Sequence, residues 1–212
     1  DLMYQESSYQ RTKESYVKSF RASSNDAFKI SKIREKPELF QQFKIAISLL
    51  EQFKNKALKT SDVFDLDTMA KHAALSDIMG AHHGMNWHNR RFFYNPVTSR
   101  LEPIGFDADI YPELLPISYL YLNLPMWGDR MGFHMYSGQG SFNYLLWSDY
   151  VFFERYLHFL EKFSQPSYLE NLFNTIHKEL DKNLSIIHKD APYYSYRSSL
   201  FYENQDYIRK LL

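Results

Sequence analysis

The chain of 212 residues balances 25 Lys and Arg against 25 Asp and Glu and contains no cysteine. That balance speaks against general binding to nucleic acid or an anionic membrane, which draws on an excess of positive charge. The missing thiol excludes disulfides, thiolate metal sites and a cysteine nucleophile.

The length suits one domain, or one with an appended lobe. Aromatic residues make up 17% of the chain, with 17 Tyr and 17 Phe, so large rings must carry the core. Only 7 Gly occur, all between Gly80 and Gly140. Backbone that needs positive φ or close approach is therefore expected in the middle, with helical flanks on either side. No apolar run is long enough to predict a membrane-spanning helix. The sequence opens on Asp1 without Met or an apolar leader, so the expectation is a processed or excised piece with further sequence upstream.

Residues 1–37 are polar and weakly periodic, with a short helix expected near Tyr16–Arg21. Pro37 then opens an amphipathic pattern in which Leu39, Phe40, Phe43, Ala46, Ile47, Leu50, Phe53 and Ala57 recur at three- and four-residue steps, predicting a helix over Glu38–Ala57. Asp65 or Asp67 can cap a second helix that buries Leu66, Met69, Ala70, Ala73 and Ile78 and ends at Gly80.

The period then changes. Arg91–Tyr94 and Leu101–Phe106 read as strands joined by a turn at Asn95–Ser99, with Asp107-Ala108-Asp109 immediately after. Residues 111–140, rich in Pro and Gly, predict a long irregular excursion. Helices return over Phe142–Phe163, Tyr168–His188 and Leu200–Leu212. Tyr193, Tyr194 and Tyr196 predict either a partner contact or a packed terminal segment.

One window concentrates chemistry: Gly80-Ala81-His82-His83-Gly84-Met85-Asn86-Trp87-His88-Asn89, then the hairpin, then Asp107 and Asp109. Polar, titratable residues on loops between regular elements are where sites commonly sit. A carboxylate and an amide oxygen from two loops can share a hard cation such as Mg²⁺. His82, His83 and His88 with Asp107 or Asp109 are an alternative transition-metal cluster, which would suit a metal-dependent hydrolase, although neighbouring loop histidines cannot all point at one ion. Arg90 and Arg91 read as phosphate binders or as counterions of the acidic loop. Trp87, Phe92, Phe93 and Tyr94 read as pocket lining or core.

The order helix, polar loop, hairpin, acidic loop resembles the catalytic segment of protein kinases, with His82 at the His place of H-R-D-L-x-x-x-N, Asn89 at the Asn place and Asp107 at the metal-binding Asp place. More specifically, the stretch from Phe64-Asp65-Leu66-Asp67 through Asn89-Arg90-Arg91-Phe92-Phe93-Tyr94-Asn95-Pro96 to Leu101-Glu102-Pro103-Ile104-Gly105-Phe106-Asp107-Ala108-Asp109 resembles the CotH (spore coat protein H) kinase-like family. The motifs cover about 45 residues; the flanks match only in being helical.

The resemblance implies an α+β, mostly helical fold, namely the C-terminal lobe of a protein-kinase-like fold carrying a small β-hairpin at its metal loop. It divides the chain into a connecting segment, 1–37, leading from an upstream nucleotide lobe, and a helical lobe, 38–212. It implies ATP with Mg²⁺ or Mn²⁺ as cofactors and phosphate transfer to Ser or Thr of a protein substrate. Within the site it implies His82, His83, Asn89 and Asp107 as catalytic residues, Asn89 and Asp107 as metal ligands, and Arg90 and Asp109 toward the cofactor. It also implies an extracytoplasmic or cell-surface setting. Gly84 departs from the pattern, since it stands where the family has the catalytic Asp. Either a neighbouring histidine serves as base, or the chain is a pseudokinase; the alternative to both is a non-catalytic binding or surface module with a surface or coat protein as partner.

Overall fold

The structure, a computed structural model, describes residues 17–81, 83–85, 89–108 and 142–212. It is α+β and mostly helical, with one small antiparallel sheet among the described residues. A short helix, α1 (residues 17–22), is followed by α2 (Ile30–Arg34), α3 (Pro37–Lys54), α4 (Thr60–Val63) and α5 (Leu66–Ile78). The hairpin is β1 (Arg91–Asn95) with β2 (Arg100–Ile104). The closing helices are α6 (Phe142–Trp147), α7 (Tyr150–Phe163), α8 (Pro166–Asp190) and α9 (Ser199–Leu211). No helix among the described residues is long and apolar enough to cross a membrane.

Local chemistry accounts for most boundaries. Pro37 and Pro166 sit at helix starts, where a missing N–H costs nothing. Asp65 caps α5 by accepting from the backbone N–H of Thr68 at 2.9 Å. At its other end Gly80, with φ 63°, closes the helix. Its N–H donates to the Asp77 carbonyl at 3.1 Å and that of Ala81 to the Ser76 carbonyl at 2.8 Å, the paired bonds of a Schellman ending.

Three expectations are corrected. The first long helix stops at Lys54 rather than Ala57, because Lys56 turns to φ 63°. The aromatic run Phe142–Phe163 is two helices, broken where Asp149 caps α7 by accepting from the Val151 N–H at 3.1 Å. The second strand ends at Ile104, before Phe106.

The aromatic core has two connected regions. Phe53 from α3, Phe64, Phe92 from β1 and Phe142 from α6 meet at centroid distances of 5.1–6.0 Å, and Phe20 of α1 joins them edge-on to Phe142. Edge-to-face contacts of this kind add about 0.5–1.5 kcal/mol each beyond their buried area. The second region lies between α5 and α7. Ala70, Ala73 and Ala74 are fully buried on α5, and Phe152, Tyr156, Phe159 and Leu160 are buried on α7. Small residues on one helix leave room for large ones on the other. At the rim of this pair Arg155 grips both oxygens of Asp67, at 2.5 and 2.8 Å, and holds that carboxyl below its ordinary pKa.

The hairpin is tied to the helical body by main chain. Asp65 N–H donates to the Leu101 carbonyl at 2.9 Å, and Leu101 is itself buried. Its turn is the expected one, with Asn95 Oδ1 accepting from the Val97 N–H at 2.9 Å. Of the β1 aromatics, Phe92 and Tyr94 pack on the core and Phe93 is exposed. The hairpin is thereby fixed relative to the start of α5 at Leu101.

Candidate functional site

The loop after α5 and the loop after β2 are pressed together. The first carries a single 3₁₀ turn, His83–Met85, with Met85 fully buried beneath it. The second carries Gly105, Phe106, Asp107 and Ala108. Gly84 is the point of contact. A Cβ at this position would lie 2.7 Å from the Phe106 carbonyl oxygen and 3.5 Å from Ala108 Cα. Only a residue without a side chain permits that approach. Gly84 is thus required by the packing of the two loops, and the place that the kinase pattern gives to a catalytic Asp is filled by backbone.

Next to this contact three of the expected site residues meet. Nδ1 of His83 lies 3.1 Å from Asp107 Oδ2 and 3.2 Å from the Asp107 carbonyl oxygen. Asn89, only 7% exposed, places its Nδ2 at 3.2 Å from both the carbonyl oxygen and Nδ1 of His83. Nδ1 is thus faced by two acceptors of Asp107 and by the Asn89 amide, and these contacts fix the ring within the cluster. Donation from Nδ2 to the His83 carbonyl fixes the Asn89 amide, with Oδ1 on its other side. Asp107 itself adopts φ 52°, a left-handed conformation that Asp tolerates better than most residues.

The donor chemistry fits a hard divalent cation. Asp107 Oδ1 and Asn89 Oδ1 accept no hydrogen bond among the described residues. One carboxylate and one amide oxygen, completed by water and phosphate oxygens, is the kind of set that Mg²⁺ takes. No group of three or more His, Asp or Glu among the described residues is disposed to hold a metal. His82, His88, Trp87 and Asp109 lie outside the described residues, as does the stretch 111–140.

Arg90 and Arg91 follow Asn89 and diverge. Arg90 lies over the Phe142 ring at 4.4 Å and donates from Nη2 to Asn143 Oδ1 at 2.5 Å, bracing the loop against α6. Arg91 stands between the exposed rings of Phe106 and Phe28, at 4.6 and 5.8 Å. Both arginines line a groove of about 680 Å³ between α3, residues 23–28 and the hairpin, whose walls include Phe43, Ile47, Leu50 and Ile104. This volume is within the range of small-molecule sites.

Two features near the site escaped the sequence reading. His72 on α5 is pushed down to about 4 by burial, with the Arg90 charge adding to the effect. Its place at the edge of the apolar stripe of α5 was the available signal. Asp77, fully buried in the last turn of α5, accepts from the Tyr156 hydroxyl; nothing local in the sequence distinguishes it from a surface carboxylate. Comparison with known protein families, curated proteins and solved structures finds no match to this chain.

Proposed function

We propose that the chain is a kinase-like C-terminal lobe of the CotH type, binding a divalent cation and the phosphates of ATP at the His83–Asn89–Asp107 cluster. The observation that carries this reading is that Asn89 and Asp107, on the loops before and after the hairpin, both lie against His83. Each retains an oxygen that accepts no hydrogen bond among the described residues. The resemblance of the flanking motifs supplies the reaction class, phosphate transfer to Ser or Thr of a protein in an extracytoplasmic or surface setting.

In this reading Asp107 and Asn89 hold Mg²⁺ or Mn²⁺, which when bound neutralises charge on the transferring phosphate. Arg91, between Phe28 and Phe106, stands at the groove that would receive the nucleoside. His83, held beside Asp107, is the neighbouring side chain that would serve as base in place of the acid missing at Gly84. The 3₁₀ turn and Gly84 hold His83 against the acidic loop.

The test is Mn²⁺ and Mg-ATP titration of the whole protein, wild type against Asp107→Asn, followed by phosphate transfer to a Ser/Thr peptide library. Metal-dependent nucleotide binding that is lost in the variant supports the reading; its absence in the wild type overturns it.

A second reading, a non-catalytic binding module for a surface or coat protein, draws on the packing of Gly84, which leaves no room for the pattern's acid. Nucleotide binding without phosphate transfer selects it.

A further inference from the structure

Helix α9 presents two consecutive amide side chains to the ends of two different helices. Asn204, fully buried, donates from Nδ2 to the carbonyl oxygens of Asp77 and Ile78, at 2.6 and 3.0 Å. Gln205, also buried, donates from Nε2 to the carbonyl oxygens of Phe163 and Gln165, at 2.9 and 2.8 Å. The last carbonyls of a helix have no partner within the helix and take one from elsewhere. One amide thus closes α5 and its neighbour closes the turn between α7 and α8.

The two closures have different consequences. Beyond Ile78 the chain passes through Met79, Gly80 and Ala81 into the 3₁₀ turn that carries His83 and Gly84. The turn between α7 and α8 leads only to α8. Asn204 Oδ1 has no hydrogen-bond partner among the described residues. The amide is therefore placed for its donor half, which is spent wholly on the end of α5.

We infer that Asn204 is a positioning residue for the His83–Asn89–Asp107 cluster, acting across the fold from the chain's last helix, and that Gln205 is not. The part that concerns metal affinity rests on the reading proposed above.

The experiment compares Asn204→Ala and Gln205→Ala in the full chain by amide hydrogen exchange and by Mn²⁺ titration followed by electron paramagnetic resonance. For Asn204→Ala, exchange over residues 79–85 should rise about tenfold while residues 164–169 stay protected. Its Mn²⁺ dissociation constant should rise about three- to tenfold. Gln205→Ala should show the reverse exchange pattern and unchanged Mn²⁺ affinity. Equal effects of the two variants on residues 79–85, or no effect of Asn204→Ala there, overturn the inference. If Asn204→Ala does not fold, Asn204→Ser, which keeps a shorter donor, carries the same comparison. Wild-type protein that takes up no Mn²⁺ removes the metal reading, whereas the exchange contrast still decides the positioning role.

Discussion

The carbonyl oxygen of Phe106 faces the bare Cα of Gly84 so closely that a Cβ would lie 2.7 Å from it. A backbone oxygen cannot swing aside as a side-chain end can. Gly84→Ala should therefore cost about 1–3 kcal/mol, as overpacking does. Gly84→Asp should cost at least as much and, by displacing residues 106–108, should weaken the site rather than supply the missing acid. Gly105 is the control, because nothing lies within 4 Å of a Cβ there. Gly105→Ala should be neutral or stabilise by about 0.4–1 kcal/mol. Urea unfolding of the three variants checks the order; equal midpoints for the two alanine variants would contradict the packing described.

Asp107 combines a carboxylate at the site with a left-handed backbone, and substitutions separate the two. Asn tolerates that conformation, so Asp107→Asn should match the wild type in stability, whereas Asp107→Ala should lose about 1 kcal/mol. Both should lose metal affinity by about tenfold or more. Thermal melts with and without Mn²⁺ read both quantities, and a wild-type Mn²⁺-dependent rise in melting temperature that persists in Asp107→Asn would remove Asp107 from the ligand set.

Legibility in the sequence followed the range of the interactions. Asp65 with Thr68, Pro37, Gly80 and the Asn95-Pro96 turn act within a few residues, and the elements they bound lie close to where the local chemistry placed them. The break at Asp149 was hidden because dense aromatics on both sides obscure the period that a cap would punctuate. His83, Asn89 and Asp107 could be named from their window, but the reason for Gly84 lies in backbone at Phe106, and the support of α5 lies in Asn204. Pairings at that separation leave no periodic trace.

Arg90 braces the site loop by stacking on Phe142 and bonding Asn143. A lysine keeps the charge but loses the planar group that does both. Arg90→Lys should destabilise the protein by about 1–2 kcal/mol, from one hydrogen bond and one cation–π contact. Chemical denaturation measures the loss, and Asn143→Ala made in the Arg90→Lys background should add less than it does alone. Strict additivity of the two changes would show that the bond does not couple them.

His72 makes stability depend on pH. Burial, aided by the Arg90 charge, sets its folded pKa at about 4, against 6.5 for an unperturbed imidazole. Above pH 6.5 the ring is neutral in both states, and its contribution is fully present. As pH falls from 6.5 toward 4 the unfolded chain binds a proton that the folded one refuses, so stability declines; below about 4 both states are protonated and the decline from this group stops. The whole loss is at most about 3 kcal/mol, with about 2 kcal/mol of it reached by pH 5. His72→Gln removes the titration while leaving the backbone carbonyl that Ser76 uses. Urea midpoints at pH 7.5 and pH 5 should therefore fall further for the wild type than for the variant. A parallel fall in both would mean that the group responsible for the pH dependence lies elsewhere.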